Sequence, residues 1–277
     1  MKTITIKTVG VIMVAVITLS MNSCKKQVVS PKTGTASSQT DNFRLADVVL
    51  NEGLNNAFSF NSHTSHKTAS ANDIMSSCAI VTVDSVTKPH VATVDYGTGC
   101  LGGDGHTRAG KIVITYDNAD FRVGNNTFNV SYQNYVIDTT EINGSESMHN
   151  NGPDSLGRTT FTVTINTSVT QNGVTDNING TFDYTWIAGE GSDPLQNLQF
   201  SITGSITGND KDGNSSTATV TKELIKNYKN STCNYVISGT ILVTEAGYAD
   251  KTIDYGDGTC TGMETITVNG VSTVKAQ

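Results

Sequence analysis

Five cysteines carry the most readable chemistry of this chain, and Cys24 stands apart from the other four by its surroundings. It follows a basic start and a short apolar run over residues 9–19. This pattern is typical of a secretory signal peptide, and the run is shorter than the roughly 20 residues that a transmembrane helix needs. A cysteine directly after Ser23 indicates the lipoprotein form, in which cleavage precedes the cysteine and its sulfur receives diacylglycerol. We therefore expect residues 1–23 to be removed and Cys24 to carry acyl chains that hold the protein in a membrane.

The remaining cysteines form two pairs in a short internal repeat, residues 78–116 and 233–268: Cys78, Cys100, Cys233 and Cys260. In each copy one cysteine begins a strand, and its mate follows the next strand after a D-Y-G-x-G turn. An exported domain favours disulfides over free thiols. Because the ends of neighbouring strands lie side by side, the repeat favours the pairs Cys78–Cys100 and Cys233–Cys260. Pairing between the copies, Cys78 with Cys233 and Cys100 with Cys260, and a set of buried free thiols are the alternatives.

Three polar clusters could in principle bind a metal or an anion: His63 with His66, Asp104 with His106 and Arg108, and the segment 210–214. The two histidines of the first have no acid or cysteine beside them, so exposed loop residues are the better interpretation. The second occupies a glycine-rich loop, which favours a solvated turn. The third lacks acids at the first and last ligand positions of a calcium loop. Since motifs for a nucleophile elbow or a phosphate loop are missing too, the sequence predicts no metal, no cofactor and no enzymatic activity.

Charge and composition restrict the partners and the fold. Without residues 1–23 the chain would have 16 basic and 25 acidic side chains, a net charge of −9, which argues against a nucleic-acid partner. Charged residues make up only 16% of the chain. Thr, Asn, Ser and Gly supply most of its polarity, a composition that favours strands joined by tight turns.

The elements that position these residues are one helix and many strands. Residues 24–41 are typical of a flexible tether, and residues 42–58 are the helix candidate, with Asp41 as its N-cap. From Cys78 onward, alternation with a period of two predicts thirteen strands. These are residues 79–84, 91–96, 111–116, 127–137, 139–148, 159–170, 174–186, 198–208, 217–223, 235–244, 251–255, 263–268 and 272–275.

The predicted fold class is mainly β, with one short N-terminal helix. Asn-Gly turns between alternating runs, and strands without intervening helices, favour a large antiparallel sheet system. Both a two-sheet sandwich and a curved half-barrel fit the pattern. Residues 42–277 are long enough for a single domain of either kind. The only tryptophan, Trp186, ends an aromatic-rich strand and is expected in the core or on a sheet face.

Several segments resemble those of a family of Bacteroidota lipoproteins. They are the Ser-Cys-Lys-Lys start at residues 23–26, the D-Y-G-x-G-C segment at residues 95–100 and the R-x-G-K-I run at residues 108–112. That family has no established biochemical function. The resemblance therefore implies a lipid-anchored location and a shared fold from about Leu45 onward, and it transfers no catalytic residues.

Together these observations predict a lipid-anchored cell-envelope protein in the outer membrane, facing the periplasm or the cell surface. Its role is expected to be non-enzymatic, either binding or structural, with a protein, a glycan or a lipid as partner. The alternative is a carrier of lipid or of another apolar ligand, in which a curved sheet and the helix 42–58 enclose the cargo; this rests on analogy of fold.

Overall fold

The computed structural model describes Glu52 and residues 78–103, 105–191, 197–209, 213–228, 233 and 235–277. The predicted signal peptide 1–23, the tether 24–41 and the helix 42–58 lie outside the described residues, except that Glu52 has helical conformation. The strands are β1 Ile80–Asp84, β2 His90–Asp95, β3 Cys100–Leu101, β4 Thr107–Tyr116, β5 Thr127–Ile137, β6 Thr140–Pro153, β7 Thr159–Gln171, β8 Val174–Ala188, β9 Leu198–Asn209, β10 Ser215–Tyr228, β11 Val236–Glu245, β12 Lys251–Asp257, β13 Met263–Val268 and β14 Val271–Ala276.

All fourteen strands belong to one antiparallel sheet. Its order follows the chain from β1 and β2 through β4 to β14, while the short β3 pairs with β4 beside this path. The expectation of a mainly β, antiparallel fold is confirmed. Of the two arrangements that the pattern left open, the two-sheet sandwich is wrong for the described strands, because they form one continuous hydrogen-bonded sheet. Among the described residues no helix has the length and apolarity needed to span a membrane.

One face of the sheet, which we call the inner face, carries the apolar core. Buried and more exposed side chains alternate along the strands, as in β4, where Ile112, Ile114 and Tyr116 are buried. Their partners on the next strand, Tyr132 and Val130 among them, are buried as well. Burial of each such side chain stabilises the fold by about 1.5–3 kcal/mol. The outer face of the central strands carries mainly Thr, Ser and Asn, which accounts for the composition.

Aromatic side chains concentrate at one end of the inner face. Trp186 is buried there, stacked on Phe121 with 5.6 Å between ring centroids, and its indole N–H donates to the carbonyl of Ala188 over 2.7 Å. Phe161 and Phe200 contact the same indole with centroid distances of 6.2 and 5.3 Å. The expectation that Trp186 packs into the core is met by this cluster.

Glycines on the inner face let neighbouring strands approach closely. Gly144, Gly204 and Gly239 have positive φ values of 105°, 132° and 108°. A Cβ at any of them would lie 2.3 Å from a carbonyl oxygen of the adjacent strand. Glycine at such points marks a bend or a close backbone approach. The three residues therefore set the local shape of β6, β9 and β11.

Each copy of the repeat contains one disulfide, Cys78–Cys100 with a Cα–Cα distance of 5.7 Å and Cys233–Cys260 with 6.0 Å. The geometry differs from two cysteines facing each other across a simple hairpin. Ile80 pairs with Asp95, so the second cysteine lies beyond the end of the ladder, on β3. The glycine-rich turn that follows Asp95 leads the chain back, which brings Cys100 to Cys78.

Candidate functional site

Charged and phenolic groups are buried together on the inner face, where the apolar pattern would predict only hydrocarbon. The group lies on β4, β5 and β6, with one residue from the N-terminal part of the chain. We call it the carboxylate cluster: Glu52, Arg108, Tyr132, Tyr135 and Glu146.

A bidentate ion pair forms the centre of the carboxylate cluster. Arg108 Nε lies 2.9 Å from Glu52 Oε2, and its Nη2 lies 2.7 Å from Oε1. The Arg108 side chain is only 1% exposed. The hydroxyl of Tyr135 also donates to Glu52 Oε2. Because an unpaired buried charge is far more costly than a paired one, Arg108 and Glu52 depend on each other. The contact fastens a helical residue to the inner face.

A β-bulge in β5 places both tyrosines on the same face. Residues 132 and 135 are three apart, so regular alternation would point them to opposite sides of the sheet. The register of β5 against β6 shifts between them, and Asn134 has a φ of +49°. Gly110 on β4 faces this bulge, where a Cβ would lie 2.0 Å from the Asn134 carbonyl oxygen. As a result the rings of Tyr132 and Tyr135 meet with centroids 5.4 Å apart.

Glu146 is the second carboxyl of the cluster, and its protonation differs from that of a surface acid. Burial raises the pKa of Glu146 to about 8; the Tyr132 hydrogen bond opposes this rise, and the charge of Glu52 adds to it. The Tyr132 hydroxyl donates to Glu146 Oε1 when that carboxyl is ionised. Burial also raises the pKa of Tyr132 and of Tyr135 well above the usual range. At neutral pH most Glu146 carboxyls are therefore protonated, which leaves Arg108 and Glu52 as the ion pair.

The arrangement of the carboxylate cluster attaches Glu52 to the sheet. Its members bind one another through the ion pair and the tyrosine hydrogen bonds, and the side chains are buried. Within the described part of the chain no group of three or more His, Cys, Asp or Glu side chains could hold a metal ion. The cluster is therefore suited to hold Glu52 against the sheet.

The structure corrects one sequence interpretation. Arg108 was expected in a solvated turn; it is instead a buried residue of β4, paired with Ile137 of β5. His106 does lie at the surface, where its Nδ1 is 2.7 Å from Asp138 Oδ2 and both side chains are about half exposed. Arg108 thus lies in the interior and His106 at the surface, while Asp104 lies outside the described residues. Cys24, His63, His66 and residues 210–212 lie outside them too.

More buried charges occupy the inner face toward the other end of the sheet: Asp176, Lys226, Glu245, Lys251 and Glu264. Lys226 Nζ lies 5.1 Å from the centroid of the Tyr228 ring, a cation–π distance. Lys251 pairs with Val243 in the β11–β12 ladder, within the apolar face. Sequence reasoning missed all of these. The sequence signal that could have found them is a charged residue at the alternate positions of a strand that otherwise carry apolar residues, as Lys251 does with Ile253 and Tyr255.

The two end strands of the sheet are its most exposed elements. Every residue of β1 and of β14 is exposed, on both faces of the sheet. Apolar side chains are among them: Ile80 is 65% exposed, Val271 70% and Val274 60%. Both strands are nevertheless held in place, β1 by the adjacent Cys78–Cys100 disulfide and β14 by the residue that follows it. The side-chain amide of Gln277 donates to the carbonyl of Val236 over 2.8 Å.

Comparisons of this chain with models of protein families, with curated proteins and with solved structures give no match.

Proposed function

We propose that this chain is a lipid-anchored cell-envelope protein with a non-enzymatic, binding role, and that the open edges of its sheet are the binding surface. The observation that carries the proposal is the full exposure of β1 and β14, including Ile80, Val271 and Val274. The anchor is Cys24, as the sequence predicts. Attachment in the outer membrane, facing the periplasm or the cell surface, belongs to the same proposal.

The physical basis is the exposed position of an end strand. Such a strand presents a row of N–H and C=O groups that another extended chain can pair with. Natural proteins protect these edges with lysines, prolines, bulges or covering segments. Here β1 has one charged residue, Asp84, and β14 has one, Lys275. Within these two described strands those are the only charged side chains, and the exposed valines favour addition of a partner strand.

Photo-crosslinking in living cells tests this proposal. A photoreactive residue at Val83 or Val274 is expected to yield specific crosslinked species, because each position lies on an end strand. The matched control is Thr181, an exposed residue in the middle of the sheet on β8. Crosslinks of equal yield from Thr181, or none from either edge position, would contradict an edge-binding role.

A carrier of lipid or another apolar ligand is the second candidate, and one observation favours it. The described strands form one sheet whose apolar residues share one face, and Glu52 is fastened to that face by Arg108. An apolar cargo bound on that face would lie beside Glu52. Mass spectrometry of the protein purified in a lipid-free detergent tests the idea. A stoichiometric lipid besides the anchor would support a carrier, and only detergent in the complex would count against it.

A further inference from the structure

We propose that β1 pairs with β1 of a second copy, antiparallel and about a twofold axis at Val81. This inference rests on the proposed function and deepens it, since it names the partner of one of the two end strands. It follows from three features of β1: the direction of its backbone groups, the apolar character of its side chains and the exposure of every residue in it.

The ladder on the far side of β2 determines which backbone groups of β1 point away from the sheet. The N–H of Tyr96, the residue after β2, donates to the carbonyl of Gly110 on β4 over 2.9 Å. Because hydrogen-bonded and non-bonded pairs alternate in an antiparallel ladder, the even-numbered residues of β2 bond to β4 and the odd-numbered ones to β1. Thr93 pairs with Thr82. The even-numbered residues of β1 therefore bond to β2.

Val81 and Val83, the odd-numbered residues of β1, consequently point their N–H and C=O groups away from β2. No residue in the described part of the chain forms a hydrogen bond with these outward groups. An antiparallel copy centred on Val81 would pair with them. Val81 then exchanges hydrogen bonds with its own symmetry mate, and each Val83 comes opposite Ala79 of the second copy.

The side chains of Val81 and Val83 suit this register, because both lie on the inner face of the sheet. Their partners on β2 are Val94 and Ala92, which belong to the apolar core. In the single copy Val81 is 37% exposed and Val83 45%. A twofold axis perpendicular to the sheet keeps the inner faces of both copies on the same side. The four valines of the two copies then form one apolar patch, and its removal from water favours the pair.

The outer face of β1 and its one charge also favour an axis at Val81. Ile80, which is 65% exposed, comes opposite Thr82, and β-branched side chains pack well across strands. Asp84 is the only charged residue of β1 and lies at its end, so the two carboxylates would be about 20 Å apart. An axis at Thr82 would instead place Asp84 opposite the apolar Ile80. An isologous contact of this kind closes as a dimer and does not grow into a fibre.

A strand pair of five residues is smaller than the standard interface of a stable dimer, so we expect a weak contact in dilute solution. Two conditions strengthen it. The adjacent Cys78–Cys100 disulfide restrains β1, so the strand loses less conformational freedom on pairing. Copies anchored through Cys24 would share one membrane plane, which raises their effective concentration. A second copy is favoured over an unrelated chain because the apolar residues lie symmetrically about Val81, so one strand supplies both halves of the contact.

Cysteine crosslinking of the full chain in intact cells tests the geometry. With Val81→Cys the two Cα atoms would be about 5.5 Å apart, within reach of a disulfide. Mild oxidation is expected to give a dimer on a non-reducing gel. The control is Val83→Cys, which lies on the same face and is more exposed, but is about 15 Å from its symmetry mate. A dimer of equal yield from Val83→Cys, or none from Val81→Cys, overturns the proposal.

A proline variant separates pairing from folding. The Val81 N–H points away from β2, so Val81→Pro removes an outward donor and leaves the ladder between β1 and β2 intact. In detergent, sedimentation of the full chain at high concentration is expected to show dimerisation weakened about tenfold or more, through loss of the two central hydrogen bonds. Val81→Thr keeps the N–H and should keep the dimer. Dimerisation of Val81→Pro as strong as that of Val81→Thr contradicts the proposal.

The two proposals fail in different ways. If Val81→Cys gives no dimer while a photoreactive residue at Val83 still captures a different protein, self-association is wrong and the binding role stands. If Val81→Cys forms a dimer only with Val274→Cys on another copy, β1 joins β14, and the twofold arrangement is wrong. If Val81→Cys gives no dimer and photoreactive residues at Val83 and Val274 capture nothing, both proposals fall.

Discussion

The bidentate contact between Arg108 and Glu52 is the interaction whose loss we expect to be most costly for a single residue. Arg108→Met leaves a carboxylate buried without its cation, which should lower the free energy of unfolding by about 3–5 kcal/mol. The control is Lys111→Met: Lys111 Nζ lies 2.8 Å from Asp95 Oδ2, but the side chains are 48% and 31% exposed. Loss of that surface pair should cost less than about 1 kcal/mol. Urea unfolding measures both, and equal losses would contradict the assigned role of Arg108.

Glu146 should make stability depend on pH. Burial raises its pKa from the ordinary 4.5 to about 8, so between these values the folded protein holds a proton that the unfolded chain has lost. Stability should therefore fall as pH rises through this window, by about 1.4 kcal/mol per pH unit from this group. Glu146→Gln should remove that slope, whereas Glu141→Gln, at an exposed position of the same strand, should keep it. Unfolding curves from pH 5 to 9 are the measurement. The same slope in Glu146→Gln and the native protein would show that Glu146 is not responsible.

Individual site residues were harder to predict than strands. Alternation does place Glu146 on the inner face, in phase with Ile142 and Met148. The position of Tyr135 on the inner face could not be predicted, because a bulge at Asn134 reverses the alternation and no local sequence pattern indicates that bulge. The partnership of Arg108 with Glu52 spans 56 residues, and no local pattern links positions so far apart.

The two disulfides should contribute unequally to the stability of the strands beside them. All of β1 is exposed, so it gains little from packing, and the Cys78–Cys100 bridge limits its freedom. We expect the double alanine variant at Cys78 and Cys100 to lower stability by about 3 kcal/mol and to speed amide exchange in β1. The matched variant at Cys233 and Cys260 should leave β11 protected, because alternate residues of that strand are buried. Hydrogen exchange read by mass spectrometry decides this, and equal protection of β1 with and without its disulfide would contradict it.

Close strand contact at Gly204 should make β9 intolerant of a side chain. Gly204→Ala would bring a Cβ to 2.3 Å from the Thr181 carbonyl oxygen, at a φ of +132°. Strain and overpacking together predict a loss of roughly 2–5 kcal/mol. Gly173→Ala is the control: its φ is also positive, but open space surrounds it. This substitution should lower the free energy of unfolding by only about 1 kcal/mol, the cost of one residue in the left-handed conformation. Thermal unfolding distinguishes the two, and similar losses would show that the close approach is unimportant.

Strands were largely predictable because alternation and turn residues are local signals. The expected strand over residues 127–137 coincides with β5, and that over residues 263–268 with β13. β4 begins earlier than expected, at Thr107, since its first residues pair beyond the bulge of β5. β3 went unpredicted because two residues are too short to show a period. The helix over residues 42–58 stays a prediction apart from Glu52.

For the whole molecule, the sequence predicted a mainly β antiparallel fold but could not choose between one sheet and two. That choice depends on which strands pair with each other. A period of two within one strand carries no information about its partners. Here the described strands follow the chain order through the sheet, with β3 beside the path.

Membrane attachment of the whole protein should depend on one atom, the Cys24 sulfur. Cys24→Ala is expected to abolish labelling by a fatty-acid probe and to move the protein from the membrane to the soluble fraction, because alanine has no sulfur to accept an acyl chain. Ser23→Ala, which keeps a small residue before the cysteine, should leave both unchanged. If Cys24→Ala stays in the membrane fraction as the native chain does, the prediction that Cys24 carries the anchor is wrong.

The chain-order topology also affects how the polypeptide reaches its folded form. Each long strand pairs with the strand that follows it in the chain. A strand formed early in synthesis therefore does not depend on a partner far away in the sequence. Such low contact order shortens the loops that must close and speeds folding. The disulfides are local too, because they join cysteines only 22 and 27 residues apart in the sequence. The sheet can therefore form strand by strand from its N-terminal end, each new strand forming hydrogen bonds with the strand before it.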